Sequence, residues 1–152
     1  MKAAPGTYVL VLRSQTNAKV RIGRWGHLDV APGFYLYAGS AFGPGGIQAR
    51  VSRHHRRDKR RHWHIDYLGD VATPCGAWYS HETARLEHRW AQVLSRMDGM
   101  SAIPGFGCSD CGCHSHLFQT SREPDFGRFS ELAGGEIAHW SCRPRVDGAT
   151  RG

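Results

Sequence analysis

The sequence predicts an α+β fold, a small mainly antiparallel sheet flanked by helices, from three observations. Phe34, Leu36 and Ala38 alternate with Tyr35, Tyr37 and Gly39, the period of a half-buried strand with a tyrosine row on one face. The glycine-rich turn Phe42-Gly43-Pro44-Gly45-Gly46 ends that strand, and from Ile47 the spacing turns helical. Ile47 and Val51 fall on one side, with Arg50, Arg53, His54 and Arg57 at three- and four-residue steps on the other, so Arg50 and His54 are expected on one face. A second helix is predicted over Glu82 to Met97, where Leu86, Trp90, Val93 and Met97 recur at helical spacing.

Taken in order, Tyr8 to Arg13 is dense in β-branched and aromatic residues and predicts the first strand, followed by a turn at Gln15-Thr16-Asn17. Lys19 to Gly23 reads as its hairpin partner, and His27 to Val30 as a short third strand closed by Ala31-Pro32-Gly33. After the basic helix, His62 to Leu68 fits a helical turn or a strand. Its two histidines and Asp66 suggest a metal site. The favoured alternative puts Trp63, Ile65 and Leu68 in the core, with His62 and His64 capping or touching phosphate. Ala77 to Tyr79 reads as a strand after a Pro74-Cys75-Gly76 turn, and Ser80 stands ahead of the second helix as a candidate cap. His116 to Thr120 is expected to close the sheet, and Glu123 to Ala133 to form a short helix. The chain suits one domain over residues 1–140, with residues 141–152 a polar basic tail expected to fray.

The formal net charge is +7, and it is concentrated. From Arg50 to Arg61, Arg50, Arg53, Arg56, Arg57, Lys59, Arg60 and Arg61 face Asp58 alone. A run of one sign beside aromatics points to a polyanion, because phosphate contacts release condensed counterions. Nucleic acid is therefore the expected partner. No apolar run suits a membrane span, and the opening MKAAPGTYVLVL lacks a convincing cleavage region. Five cysteines, three of them crowded at Cys108, Cys111 and Cys113, fit reduced thiols better than a disulfide framework, so a cytoplasmic location is expected. The Gly43-Pro44-Gly45-Gly46 turn lacks the lysine and spacing of a phosphate loop.

Gly6-Thr7-Tyr8, then Tyr37-Ala38-Gly39, then a helix bearing Arg50-x-x-x-His54 make a series that resembles the GIY-YIG nuclease family. WHIDYL (Trp63 to Leu68) and PGFGCSDCGCHSHLF (Pro104 to Phe118) make the chain similar to the Uri-type branch, over roughly Gly6 to Phe118. The tyrosines lie 29 positions apart, longer than in the most familiar members and similar to some restriction enzymes of the family. The resemblance implies a metal-dependent endonuclease that hydrolyses phosphodiester bonds, of DNA ahead of RNA, in repair or processing of single-stranded or branched substrates. It implies that Tyr8 and Tyr37 activate and orient water, that Arg50 clamps the scissile phosphate and that His54 relays a proton or binds phosphate. A free tyrosine near pKa 10 is a poor base, so Arg50 or His54 is expected to favour its phenolate.

The family's metal-binding glutamate lies beyond the catalytic arginine at a separation close to the 37 positions between Arg50 and Glu87. The resemblance therefore selects Glu87 to hold Mg2+ or Mn2+, and leaves Glu82 as a first-turn acid favoured by the helix dipole. Arg53, Arg57, Lys59, Arg60 and Arg61 are expected to bind nucleic acid. His64, Ser109 and Asp110 are candidate outer residues; Ser109 or Asp110 would stand in for an asparagine that some relatives carry. Zinc at Cys108, Cys111, Cys113 and His116 is not favoured, because all four lie within nine positions and the family commonly has a small non-ligand residue where Cys108 stands. The competing readings are a catalytically silent nucleic-acid-binding module and a zinc-dependent structural adaptor.

Overall fold

The computed structural model describes residues 1–23, 26–56, 63–106 and 115–141. Its strands are β1 (Gly6–Ser14), β2 (Ala18–Ile22), β3 (Gly26–Val30), β4 (Gly33–Ala41), β5 (Thr73–Ser80), β6 (Ser101–Ala102), β7 (Leu117–Thr120) and β8 (Ala138–Ser141). Its helices are α1 (Gly46–His55), α2 (His64–Leu68), α3 (Glu87–Ser95) and α4 (Phe126–Ala133). Six strands form one sheet in the order β6-β7-β4-β1-β5-β8, each neighbouring pair antiparallel. The predicted α+β class is the observed one.

β1 lies at the centre, and its nearly unbroken apolar run follows from burial on both faces. Tyr8, Leu10 and Leu12 face a core built with Ile47 and Val51 of α1 and Ile65 and Leu68 of α2. Val9 and Val11 face the opposite core, with Trp90 and Leu94 of α3 and Phe129 of α4. The tyrosine strand β4 is likewise covered on both faces, not half-buried as its alternation suggests.

β2 does not pair with β1. Both edges of β1 are taken by β4 and β5, so β2 pairs with β3 in a separate ribbon. That ribbon turns Val20, Ile22, Leu28 and Val30 inward and leaves Lys19, Arg21 and His27 outside. The expected turn at Pro74-Cys75-Gly76 lies within β5: Pro74 pairs with Leu12 and Gly76 with Val11, so Cys75 is the extra residue of a bulge. The second helix begins at Glu87 instead of Glu82. Ser80 belongs to β5 and its hydroxyl is occupied by Glu82, which therefore sits outside the helix. His62 to Leu68 resolves as helical from His64, and Glu123 to Ala133 as α4, capped by the Asp125 carboxylate on the Arg128 N–H. β6 and β8 carry no periodic signal, and β8 extends the sheet through Ser141, where a tail was expected to begin.

The turn into α1 takes left-handed backbone at Gly45 (φ 84°) and Gly46 (φ 59°), which glycine adopts without a steric penalty. The chain's opening residues then cap the helix, as the Ala4 and Lys2 carbonyls accept from the Ile47 and Gln48 N–H groups. No helix among the described residues is long and apolar enough to cross a membrane.

Candidate active site

The register of β1 on β4 sets Tyr8 opposite Gly39. A Cβ on Gly39 would stand 2.7 Å from the ring carbon and oxygen of the Tyr8 phenol and 3.2 Å from the Tyr37 ring. Gly39 is thus the floor on which both tyrosine rings rest. A side chain on Gly6 would run into the Ser80 carbonyl and the Ile47 methyl group, so this glycine lets β1, β5 and α1 close together.

Tyr8 is 1 % exposed, and its hydroxyl lies 2.8 Å from Nε2 of His54, itself buried. The Arg50 guanidinium acts on the same phenol, and with the His54 ring proton on Nδ1 the Tyr8 O–H donates to Nε2. His54 joins Ile47 and Val51 in the inner stripe of α1, a correction to the expectation that it lies on the opposite side from them. Arg50 still reaches the same phenol, and its guanidinium also donates to the Ser40 carbonyl at 3.0 Å. Burial, followed by neighbouring Tyr37, pushes the Tyr8 phenol well above its ordinary range; Arg50 pulls it down and Glu87 pushes it up. The expected phenolate is not favoured here, because burial outweighs the nearby guanidinium.

WHIDYL braces this arginine. Arg50 and Arg53 set their guanidinium carbons 4.6 and 4.3 Å from the Trp63 ring centre. Arg53 grips the buried Asp66 carboxylate with both terminal nitrogens, at 2.8 and 3.0 Å, and the Trp63 N–H donates to the same carboxylate at 2.9 Å. Asp66 therefore holds an arginine, and Arg53, expected to meet nucleic acid, has its charge balanced within the protein. His64 is half-buried, its ring 5.7 Å from Phe106, against which Tyr37 also packs at 6.3 Å. The Tyr37 and His54 rings are 6.5 Å apart.

Glu87 opens α3 because the Leu86 N–H just before it is held by Thr7 Oγ1 at 3.2 Å, tying the helix start to the residue beside Tyr8. The Glu87 side chain is 20 % exposed, and its Oε2 lies 3.7 Å from Nδ1 of buried His116. Burial lowers the His116 imidazole below its usual range, with Glu87 opposing and His88 adding to the shift. At neutral pH a neutral ring faces the carboxylate. Among the described residues, no group of three or more His, Cys, Asp or Glu side chains is placed to hold a metal ion. Cys108, Cys111 and Cys113, together with Arg57, Lys59, Arg60, Arg61, Ser109, Asp110 and His62, lie outside the described residues.

Tyr8, Tyr37, Arg50, His54 and Glu87, separated by up to 79 positions in the chain, thus act on one neighbourhood. The sequence reading missed Thr7, Trp63 and Asp66 as supports. For Trp63 the available signal was an indole two positions past the end of an arginine run. No curated protein and no solved structure matches the chain. A family model does, over residues 7–136, and the chain belongs to that family, described as Domain of unknown function DUF123.

Proposed function

We propose that the chain is a metal-dependent nuclease of the GIY-YIG type, similar to its Uri-type branch, hydrolysing phosphodiester bonds of DNA in preference to RNA. The observation that carries this reading is the buried Tyr8 hydroxyl 2.8 Å from Nε2 of His54, with the Arg50 guanidinium one helical turn away acting on the same phenol. Hydrolysis needs a proton taken from water and charge stabilised on the phosphorane. A neutral phenol is not itself a base. With the His54 ring proton on Nδ1, however, Tyr8 can take the water's proton on oxygen while passing its own proton to Nε2. His54 is then the terminal acceptor and Tyr8 the relay. Arg50 offers its planar fork to the phosphate oxygens, and Tyr37 orients the water or phosphate.

Glu87 is the residue that would hold the metal. One partly open carboxylate suits magnesium, or manganese, which keeps several waters and takes few protein ligands. Bound there, the ion would supply positive charge for the phosphorane and the leaving oxygen. The reading is tested by incubating the protein with labelled single-stranded, duplex and branched DNA and RNA, with and without Mg2+ or Mn2+. Cleavage of DNA that needs the ion is expected. Binding without cleavage under every condition would leave the silent binding module in its place.

A further inference from the structure

The turn that joins β4 to α1 is touched by two guanidiniums, of which only Arg50 has been given a role. Arg85 lies in the segment between β5 and α3, with its guanidinium carbon 4.5 Å from the centre of the Phe42 ring. Phe42 is half-buried at the end of β4, and the next residue, Gly43, is approached by Arg50 Nη2, 3.9 Å from where its Cβ would stand. Arg50 and Arg85 therefore flank one short turn. Arg85 stands one residue ahead of Leu86, whose N–H is fixed by Thr7, and two ahead of Glu87.

Arg85 is exposed, and among the described residues it makes no ion pair and no hydrogen bond. The other arginines around the site are engaged differently: Arg53 holds Asp66, and Arg50 donates to the Ser40 carbonyl. An exposed arginine ordinarily sweeps a wide volume and loses much rotamer entropy on binding. Stacking on a ring fixes the guanidinium plane while its N–H edges stay available to an oxyanion.

We infer that Arg85, stacked on Phe42, is a second phosphate-binding residue, taking a backbone phosphate next to the one that Arg50 holds. This rests on the nuclease reading, since it supposes a polynucleotide lying across the Phe42-Gly43 turn. Arg85 grips a phosphate that does not react, so it adds affinity and leaves the chemical step alone.

The test measures binding of labelled single-stranded and duplex DNA across a salt series, in a Glu87→Gln background that removes turnover. Arg85→Ala, Arg85→Lys and the control Arg128→Ala, whose residue pairs with Glu131 on α4, are compared. For Arg85→Ala the slope of log affinity against log salt should shrink by about 0.9 on duplex, one phosphate's worth, equally for unrelated sequences. Arg85→Lys should keep the slope and bind more weakly than the parent, because it keeps the charge and loses the stacked fork. In the active background, single-turnover cleavage by Arg85→Ala at saturating protein should match wild type, with a raised half-saturation concentration. A slope and affinity equal to those of Arg128→Ala would overturn the assignment and leave the nuclease reading intact. A parent protein that binds no DNA would overturn both.

Discussion

Tyr8 and His54 form a single device. Burial holds Tyr8 protonated well beyond the ordinary phenol range, so the rate should show no rise with pH through that range, as it would if a phenolate were the base. Single-turnover rates across pH check this. Tyr8→Phe and His54→Gln should each lower the chemical step by about 10²–10⁴-fold. The double variant should be little worse than either, because residues that act as a unit are not additive. Tyr37→Phe should cost less than Tyr8→Phe, about the 1.5–3 kcal/mol of one hydrogen bond to a charged group. Gly39→Ala would place a methyl group 2.7 Å from the Tyr8 ring, an overpacking of about 1–3 kcal/mol, and a denaturant melt should show that loss beside a reduced rate. At this scale Tyr8, Tyr37 and Arg50 are legible as a strand pair and a helix arginine. The inward turn of His54 is not, because residues 47, 51 and 54 share helical spacing with residues 50, 53 and 57, and charge alone groups His54 with the arginines.

At the scale of elements, α1 and α2 are locked by one carboxylate. Asp66 is fully buried while Arg53 is 19 % exposed, so removing the carboxylate takes the two-pronged partner from a cation at the seam. Asp66→Asn should therefore cost about 3 kcal/mol in a denaturant melt, the low end for breaking a buried pair. It should also loosen Trp63 beneath Arg50 and slow cleavage. Replacing both partners by apolar residues, Arg53→Met with Asp66→Leu, should recover most of the stability and not the rate, which separates bracing from folding. The location of α2 was open in the sequence, since five helical residues show too little periodicity to exclude a strand. The start of α3 was misplaced for a different reason. Glu82 to Leu86 has helical composition, but Ser80 is drawn into β5 and Thr7 catches the Leu86 N–H, so tertiary contacts decide where the helix begins.

For the whole molecule, the sheet brings residues from both ends of the chain to one neighbourhood, and pairing order could not be read locally. β2 follows β1 through a short turn and looks like its partner, yet β4 and β5 claim both edges of β1. The α+β class was legible because strand and helix periods alternate clearly; the edge strands β6 and β8 were not, being short or exposed. Charge is also a property of this scale. If the Arg50 to Arg61 run supplies most of the affinity, replacing Arg57, Arg60 and Arg61 by alanine should weaken binding evenly across sequences and flatten the salt dependence by roughly one unit per lost phosphate contact. A filter-binding salt series on the triple variant reads this directly, and an unchanged slope would remove the segment from the interface.

The most direct measurement is single-turnover cleavage of labelled DNA by wild type, Glu87→Gln and Glu82→Gln, each with magnesium and with a chelator. Glu87 opens α3 beside the tyrosine pair, whereas Glu82 lies outside the helix on the Ser80 hydroxyl. Wild type and Glu82→Gln should cleave only with the ion, while Glu87→Gln should bind DNA and leave it intact. Equal cleavage by Glu87→Gln, or cleavage by wild type that survives the chelator, would contradict a metal-dependent phosphodiesterase centred on this site.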